Sequence, residues 1–376
     1  MFSLHIDTAR TWRGGQNQVL LTVLGLRAAG HRAMLVAHPD GELRQRATEG
    51  LELVPLTPRS EMDLGAAWKL SRLIKQVRPD IVHAHDPHGV AMAALALSMS
   101  SGPRTPALIA QRRVDFHMRQ NALSRWKYRQ VNCFICVSDA IRRMVIADGV
   151  PESRAVTVYE GVDVGRVDAA PAIDLHAELW LPHHAPIVGN VAALVPHKGQ
   201  RHLVEAAAIV VQTMPDARFV IAGDGELRPA LERLIQEHRL AKHVFLLGFR
   251  PDVLSVHKGF DVFAMSSVTE GLGTSLFDAM ACRKAIVATT AGGIPEVVAN
   301  GATGILVPPR DHESMARAII DLLRDDEKRR AFGEAGRRRA CERFSAEQMV
   351  SGTLQVYGRV AAPSAQLQCQ HGRPAP

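Results

Sequence analysis

The sequence predicts an α/β protein built from two facing, doubly wound parallel-sheet (Rossmann-like) domains with a cleft between them. Three observations carry this expectation. Short apolar runs alternate with segments of helical period almost from end to end. The runs are near-continuously apolar instead of alternating with polar residues, the pattern of parallel strands covered on both faces. At 376 residues the chain is also too long for one ordinary core, so two domains of about 150–200 residues each are expected.

The first set opens with a strand at Phe2–Asp7, an amphipathic helix at Gln16–Ala29 and a strand at Ala33–Ala37. Leu51–Leu56, Ile81–Ala84, Ala107–Ala110 and Cys133–Val137 continue the strands, with helical patterns between them as in βαβ units. Gly161–Ala185, rich in Asp, Ala, Pro and His and without a clear period, reads as the linker. Ile187–Val191, Phe219–Ala222, Val244–Leu247, Val262–Met265, Ala285–Ala288 and Gly304–Val307 then form a second parallel set. These patterns place the domains at 1–165 and 186–344, the linker at 166–185 and a disordered tail at 361–376.

Composition excludes several classes of protein. With 47% hydrophobic and 22% charged residues the chain is globular. Aromatics at 5% argue against a stacking platform for single-stranded nucleic acid. The longest apolar stretch, Gly89–Met99, has eleven residues, against roughly 20 for a membrane-spanning helix. No secretory signal pattern opens the chain, and five cysteines do not form a disulfide framework. The cytoplasm is the expected compartment.

Residues 104–143 hold nine Arg or Lys against only Asp115 and Asp139, which equals the whole net charge of +7. Two readings stay open, a solvated helix face or a patch facing an anionic acceptor or anionic lipid, worth about 1 kcal/mol per basic side chain at such a membrane. No nucleic-acid recognition motif accompanies the charge, and nucleic acid is not an expected partner.

Ligands of doubly wound sheets bind beyond the carboxyl ends of the strands, at helix N-termini. Four loops there carry candidate chemistry. In Arg13-Gly14-Gly15-Gln16, Gly14 and Gly15 allow close backbone approach to a ligand. The dinucleotide pattern Gly-x-Gly-x-x-Gly is absent from this turn. The second loop begins at Val188-Gly189-Asn190 and ends at His197-Lys198-Gly199, with Lys198 placed to neutralise a phosphate. The third runs from Ser266 through Glu270-Gly271-Leu272-Gly273-Thr274-Ser275 to Asp278. Here a helix opens near Thr274, so the amides of Thr274 and Ser275 can hold a diphosphate. Asp278, about one turn on, can reach ribose hydroxyls, and Glu270 can accept from the hydroxyls of a sugar. Two carboxylates around an anion-binding helix start suit a nucleotide-sugar. The fourth, Ala291-Gly292-Gly293-Ile294-Pro295-Glu296, is a glycine-rich turn that can border the same pocket.

His83, His85 and His88 cluster with Asp86, but no further carboxylate or cysteine set has ligand spacing, so no metal site is expected. Cys133 and Cys136 fall on opposite faces of one apolar strand and read as core thiols.

In order along residues 2–345, the Gly-Gly turn, Glu160-Gly161-Val162-Asp163, Lys198-Gly199, the Glu270 segment and Gly293-Ile294-Pro295-Glu296 resemble the retaining glycosyltransferases of family 4. The resemblance implies the GT-B architecture, with the donor held mainly by the C-terminal domain. It also implies a last helix, 345–360, crossing back to the N-terminal domain. The implied activity is metal-independent, retaining transfer of a sugar from a nucleotide-sugar, with no cofactor; the basic stretch 104–143 adds the expectation of a glycan or glycolipid acceptor such as lipopolysaccharide, met at the inner face of a membrane. Other activities on the same architecture are an epimerase, a phosphorylase or a non-catalytic nucleotide-sugar-binding subunit.

Three positions depart from the family pattern. Asp278 replaces the usual second Glu and shortens its reach by one methylene. Ala193 stands where a basic residue is common. Gln111-Arg112-Arg113 occupies the loop that often presents a His. Arginine is no general base, but in a front-face retaining transfer the leaving diphosphate itself can take the acceptor's proton, and the protein then mainly stabilises its developing charge. Lys198, Glu270 and Arg112 are accordingly the expected catalytic residues. Gly14, Gly15, Gly189, Gly273, Thr274, Ser275, Asp278 and Gly293 form the expected donor site, with His85 and Arg113 on the acceptor side. Either arginine can instead grip a phosphate or carboxylate of the acceptor.

Overall fold

The computed structural model describes residues 1–47, 50–100 and 105–361. The expected disordered tail lies, past Ala361, outside the described residues, as does Arg104. The N-terminal sheet contains β1 (Phe2–Asp7), β2 (Arg32–Ala37), β3 (Glu52–Pro55), β4 (Ile81–Ala84), β5 (Ala107–Arg112), β6 (Cys133–Cys136) and β7 (Ala155–Thr157). Their order is β3-β2-β1-β4-β5-β6-β7, all parallel. The C-terminal sheet contains β8 (Ile187–Val191), β9 (Arg218–Ala222), β10 (Val244–Gly248), β11 (Val262–Met265), β12 (Ala285–Thr289) and β13 (Gly304–Val307). It runs β10-β9-β8-β11-β12-β13, also all parallel. In each sheet the order reverses beside the first strand, which opens the crevice where α/β sheets take ligands.

The central strands are buried on both faces, as their apolar runs require. All six residues of β1 and all five of β12 are buried. Cys133 and Cys136 belong to separate apolar clusters on the two faces of the N-terminal sheet.

The structure differs from expectation at three places. The sequence reading omits β7, whose three residues pair with β6 but are too short for a periodic signal. The stretch read as a linker is partly helical, at Val164–Ala169 and Leu175–Glu178. Asp163 and Asp174 cap these turns by accepting from the amides of Arg166 and of His176 and Ala177. β5 runs two residues beyond the expected end, so Gln111 and Arg112 become strand residues paired with Ile135 and Cys136.

The chain crosses between domains twice, and the crossings lie side by side. The Val162 amide donates to the Phe344 carbonyl at 2.8 Å, and the Ala346 amide to the Val162 carbonyl at 2.9 Å. A Cβ on Gly161 would stand 2.4 Å from the Ser345 carbonyl oxygen, so glycine permits this approach. The last helix, Ala346–Ala361, packs on the Gly14–Ala28 helix. Gly25 there faces Val350, whose Cγ2 a Cβ would approach to 2.4 Å.

Candidate active site

The carboxyl ends of both sheets open on one cavity of about 860 Å³, lined by residues of both domains. On the C-terminal side, Lys198 and Glu270 meet, Nζ to Oε2 at 2.5 Å. Local backbone explains their placement. Gly199 has φ +63°, and a Cβ there would lie 2.3 Å from the Ser266 carbonyl oxygen. Ser266 Oγ donates to the Lys198 carbonyl at 3.0 Å, and the Val268 amide to the His197 carbonyl at 2.8 Å. The lysine loop is thereby stapled to the Glu270 loop. Ser267 Oγ donates to Glu270 Oε2 at 3.0 Å.

Gly273, at φ +89°, precedes the Thr274–Ala281 helix. The first turn of a helix leaves amides without intrahelical acceptors, and Thr274 and Ser275 line the cavity. Asp278 lines it as well, and burial raises its carboxyl to about 7. The N-terminal domain approaches closely here. A Cβ on Gly14 would stand 2.3 Å from Thr274 Oγ1, while one on Gly15 would meet Arg113 Cδ of its own domain at 3.5 Å.

On the N-terminal side, Arg113 Nε and Glu160 Oε1 pair at 2.5 Å, with Glu160 only 4% exposed. Burial outweighs the neighbouring guanidinium and raises the Glu160 carboxyl. Arg113 Nη1 also lies 3.3 Å from both the Nδ1 and the carbonyl oxygen of His85. His85 Nε2 meets His5 Nδ1 at 2.9 Å, and His5 Nε2 meets Ser3 Oγ at 3.0 Å. His83 bridges Tyr357 Oη at 2.7 Å and Gln111 Oε1 at 3.1 Å, tying the last helix to this layer. Desolvation holds all three imidazoles low, His5 to about 3, so they are neutral near pH 7.

The domains are also fastened by polar contacts. Asp115 Oδ2 accepts from the Glu270 amide at 3.1 Å, and Ser138 Oγ donates to the Gly271 carbonyl at 2.7 Å. Glu296 accepts from the amides of Asp139 and Ala140, both at 2.8 Å, and so caps a helix of the other domain.

Lys198, Glu270, Gly14, Gly15, Gly273, Thr274, Ser275, Asp278, His85 and Arg113 therefore share the cleft. Two expected donor residues do not. Gly189 is interior to β8, where a Cβ would stand 2.1 Å from the Phe260 ring, so it serves packing. Gly293 packs against Ser138, its amide donating to the Glu270 carbonyl at 3.2 Å. Its loop fastens the domains instead of walling the donor pocket.

Arg112 lines the cavity but does not join the Lys198–Glu270 pair expected to act with it. Strand alternation turns it away from Gln111, and its Nη2 donates to the Phe116 carbonyl. The continuous basic patch also dissolves: Lys127 is buried against Glu61 at 3.0 Å, and Arg142 pairs with Glu152 at 2.6 Å. Arg119, Arg125, Arg129 and Arg143 stay exposed.

His5, His83 and His85 bring ring nitrogens within 4.8 Å of one another. The Arg113 guanidinium beside His85 opposes a cation there, and the nitrogens already serve the hydrogen-bond chain. His88 is exposed, and Asp86 caps the Pro87–Ser98 helix. Sequence reasoning missed His5, Glu160, Asp115 and Ser267 as site residues. Glu160 had a signal as part of Glu160-Gly161-Val162-Asp163, and Ser267 lay within the Ser266–Asp278 loop.

Residues 12–166 match the family model described as Glycosyltransferase Family 4, and residues 173–339 that of Glycosyl transferases group 1. The chain is similar to the putative glycosyltransferase EpsD of Bacillus subtilis, 26% identical over 318 residues, which is 80% of this chain and 82% of that one. It is 28% identical over 373 residues to the phosphatidyl-myo-inositol mannosyltransferase of Mycolicibacterium smegmatis, covering 94% of this chain and 92% of the relative. The crystal structure of Anabaena Alr3699/HepE in complex with UDP shares the fold, with a TM-score of 0.82, 20% identity and coverage of 96% and 100%.

Proposed function

The chain belongs to the GT-B glycosyltransferases, a family 4 half joined to a group 1 half, and from this premise we propose a retaining, metal-independent transfer of sugar from a nucleotide-sugar to a glycan or glycolipid hydroxyl. The observation that carries the reading is the Lys198–Glu270 pair beside the free amides of Thr274 and Ser275, facing Arg113 and His85 across one cavity.

With donor bound, the diphosphate lies at the helix start, where the Thr274 and Ser275 amides and the lysine ammonium meet its charge. Lys198 exchanges Glu270 for phosphate oxygen, and Glu270 accepts from hydroxyls of the donor sugar. Asp278 accepts from the ribose. The bond from the anomeric carbon to the diphosphate oxygen breaks, and its electron pair leaves with the phosphate. The acceptor oxygen bonds to the same face of the carbon and passes its proton to that departing oxygen. Lys198 and the Thr274 and Ser275 amides stabilise leaving-group charge, the largest contribution in many such sites. His85, tied to His5 and Arg113, and Glu160, tied to Arg113, position the acceptor side.

A thermal-shift panel of UDP-, GDP-, ADP- and CDP-sugars, with and without chelator, tests this reading. At least one donor raises the melting temperature equally in both conditions. Stabilisation by none of them, or only with divalent metal, would contradict it.

The glycolipid acceptor draws support from the phosphatidyl-myo-inositol mannosyltransferase relative. Among the described residues no helix is long and apolar enough to cross a membrane. The proposed placement is peripheral, at the cytoplasmic face of an anionic membrane. Support comes from exposed Met62, Leu64 and Trp68 and from Arg125 and Arg129 of the helix that Lys127 joins to Glu61. Co-sedimentation with anionic vesicles but not neutral ones, weakened by Trp68→Ala, is the expected outcome.

A further inference from the structure

Arg112 is the cleft's anomaly. It is 6% exposed, yet among the described residues no acidic side chain pairs with it. Its Nη2 is held by the Phe116 carbonyl, and its buried Nε has no partner at all. Asp148, whose charge favours the guanidinium, is already committed, its oxygens accepting from His117 Nδ1 at 2.6 Å and the Met118 amide at 2.7 Å. Burying a guanidinium without a counter-ion costs several kcal/mol by general estimates. Such a cost persists where a ligand relieves it.

The surroundings indicate the kind of ligand. Arg112 lies on the same face of β5 as Ala110, whose partner on β6 is Phe134 with the Tyr128 ring against it, and its guanidinium stands 5.2 Å from the Phe116 ring; Ala110, Arg112, Tyr128 and Phe134 all line the cavity. Arg112 stands in the N-terminal half, across from the Lys198–Glu270 pair. A planar guanidinium set in an apolar wall takes a phosphate or carboxylate that itself carries apolar atoms.

We propose that Arg112 is the anion-recognition residue of the acceptor subsite, and that the acceptor carries a phosphate or carboxylate flanked by apolar groups. This inference rests on the glycosyltransferase reading and specifies its acceptor class. Arg112 is thus a specificity residue, in place of the catalytic role expected from sequence.

The test uses the full chain with its donor site saturated by the nucleoside diphosphate that stabilises it most. Hexyl phosphate, hexanoate, inorganic phosphate and hexan-1-ol are then titrated calorimetrically. One or both hexyl anions should bind. Inorganic phosphate should bind at least about tenfold more weakly than the tighter one, and hexanol not at all. Preference between the two anions distinguishes a phosphorylated from a carboxylated acceptor. Arg112→Met should weaken the hexyl anion at least about tenfold, with Arg112→Lys between the two. Hexanol binding as well as the anions, or undiminished anion binding in Arg112→Met, would overturn the proposal.

Stability supplies an independent readout. Removing an unpaired buried charge leaves the melting temperature of ligand-free Arg112→Met equal or higher. A marked fall would make Arg112 a structural strut for Phe116 and refute the ligand role. If no nucleoside diphosphate stabilises the wild type, it is the glycosyltransferase reading that has failed.

Discussion

Among the described residues, the most buried ion pair of each half of the cleft is Lys198–Glu270 on the C-terminal side and Arg113–Glu160 on the N-terminal side. They are built by different means. The C-terminal half relies on backbone: left-handed Gly199 and Gly273, the amides of a helix start, and side chains from two short contiguous loops. The N-terminal half is a layer of side chains from β1, the ends of β4 and β5, the segment after β7 and the last helix, joined as Tyr357–His83–Gln111 and Ser3–His5–His85–Arg113–Glu160. The backbone-built half is suited to a diphosphate shared by many donors, whereas the side-chain half can change one residue at a time and select an acceptor.

The largest expected effect separates the two pairs by role. Lys198→Ala and Glu270→Ala should each lower kcat by about 10²–10³-fold, the loss seen when a group acting on the transition state is removed, with a smaller loss of stability than breaking the more buried Arg113–Glu160 pair. Steady-state kinetics beside calorimetry checks this, and comparable losses in stability would erase the contrast.

Next in size is Glu160→Gln, which strands Arg113 in a buried site and should destabilise the fold by about 3 kcal/mol. The exposed Arg32–Glu52 pair, with side chains 51% and 42% exposed, serves as control. Glu52→Gln should cost under about 1 kcal/mol. Equal costs in urea titrations would show that burial does not distinguish the pairs.

The third effect concerns pH. Burial raises the Asp278 carboxyl from 3.8 to about 7. Between those values the folded chain keeps a proton that the unfolded chain has released, so this group's contribution to stability falls as pH rises. Ribose hydroxyls donate to the ionised form. Affinity for the nucleoside diphosphate should therefore rise by about tenfold between pH 6 and 8, and Asp278→Asn should flatten that slope. An unchanged slope in the variant would remove Asp278 from the ribose contact.

The smallest effect lies where the halves touch. Gly14→Ala sets a methyl against Thr274 Oγ1 and should weaken donor binding a few-fold. A double-mutant cycle with Thr274→Ala should show coupling of about 1 kcal/mol. Additivity would mean that the close approach is incidental.

The same difference in construction explains what was legible in the sequence. Parallel strands announce themselves as continuous apolar runs: Phe2–Asp7, Ile187–Val191, Val262–Met265 and the edge strand Gly304–Val307 begin and end where the pattern puts them. Ala155–Thr157 is too short to show a period, and caps such as Asp163 turned an apparent linker into helix. Lys198, Glu270 and the Thr274 helix start were legible because their geometry comes from contiguous glycine-rich loops. Gly189 and Gly293 look the same in sequence but serve packing, since a glycine records lack of space without saying what fills it. The His5–His85–Arg113–Glu160 chain joins residues far apart in the sequence, and the orphaned Nε of Arg112 exists only once β5 and its neighbours assemble.

The most direct test is a crystal structure with the nucleoside diphosphate that stabilises the protein most. The diphosphate should lie on the Thr274 and Ser275 amides, with Lys198 Nζ moved from Glu270 to a phosphate oxygen. A diphosphate bound away from that helix start, or a lysine still held by Glu270 with the phosphates in place, would contradict it.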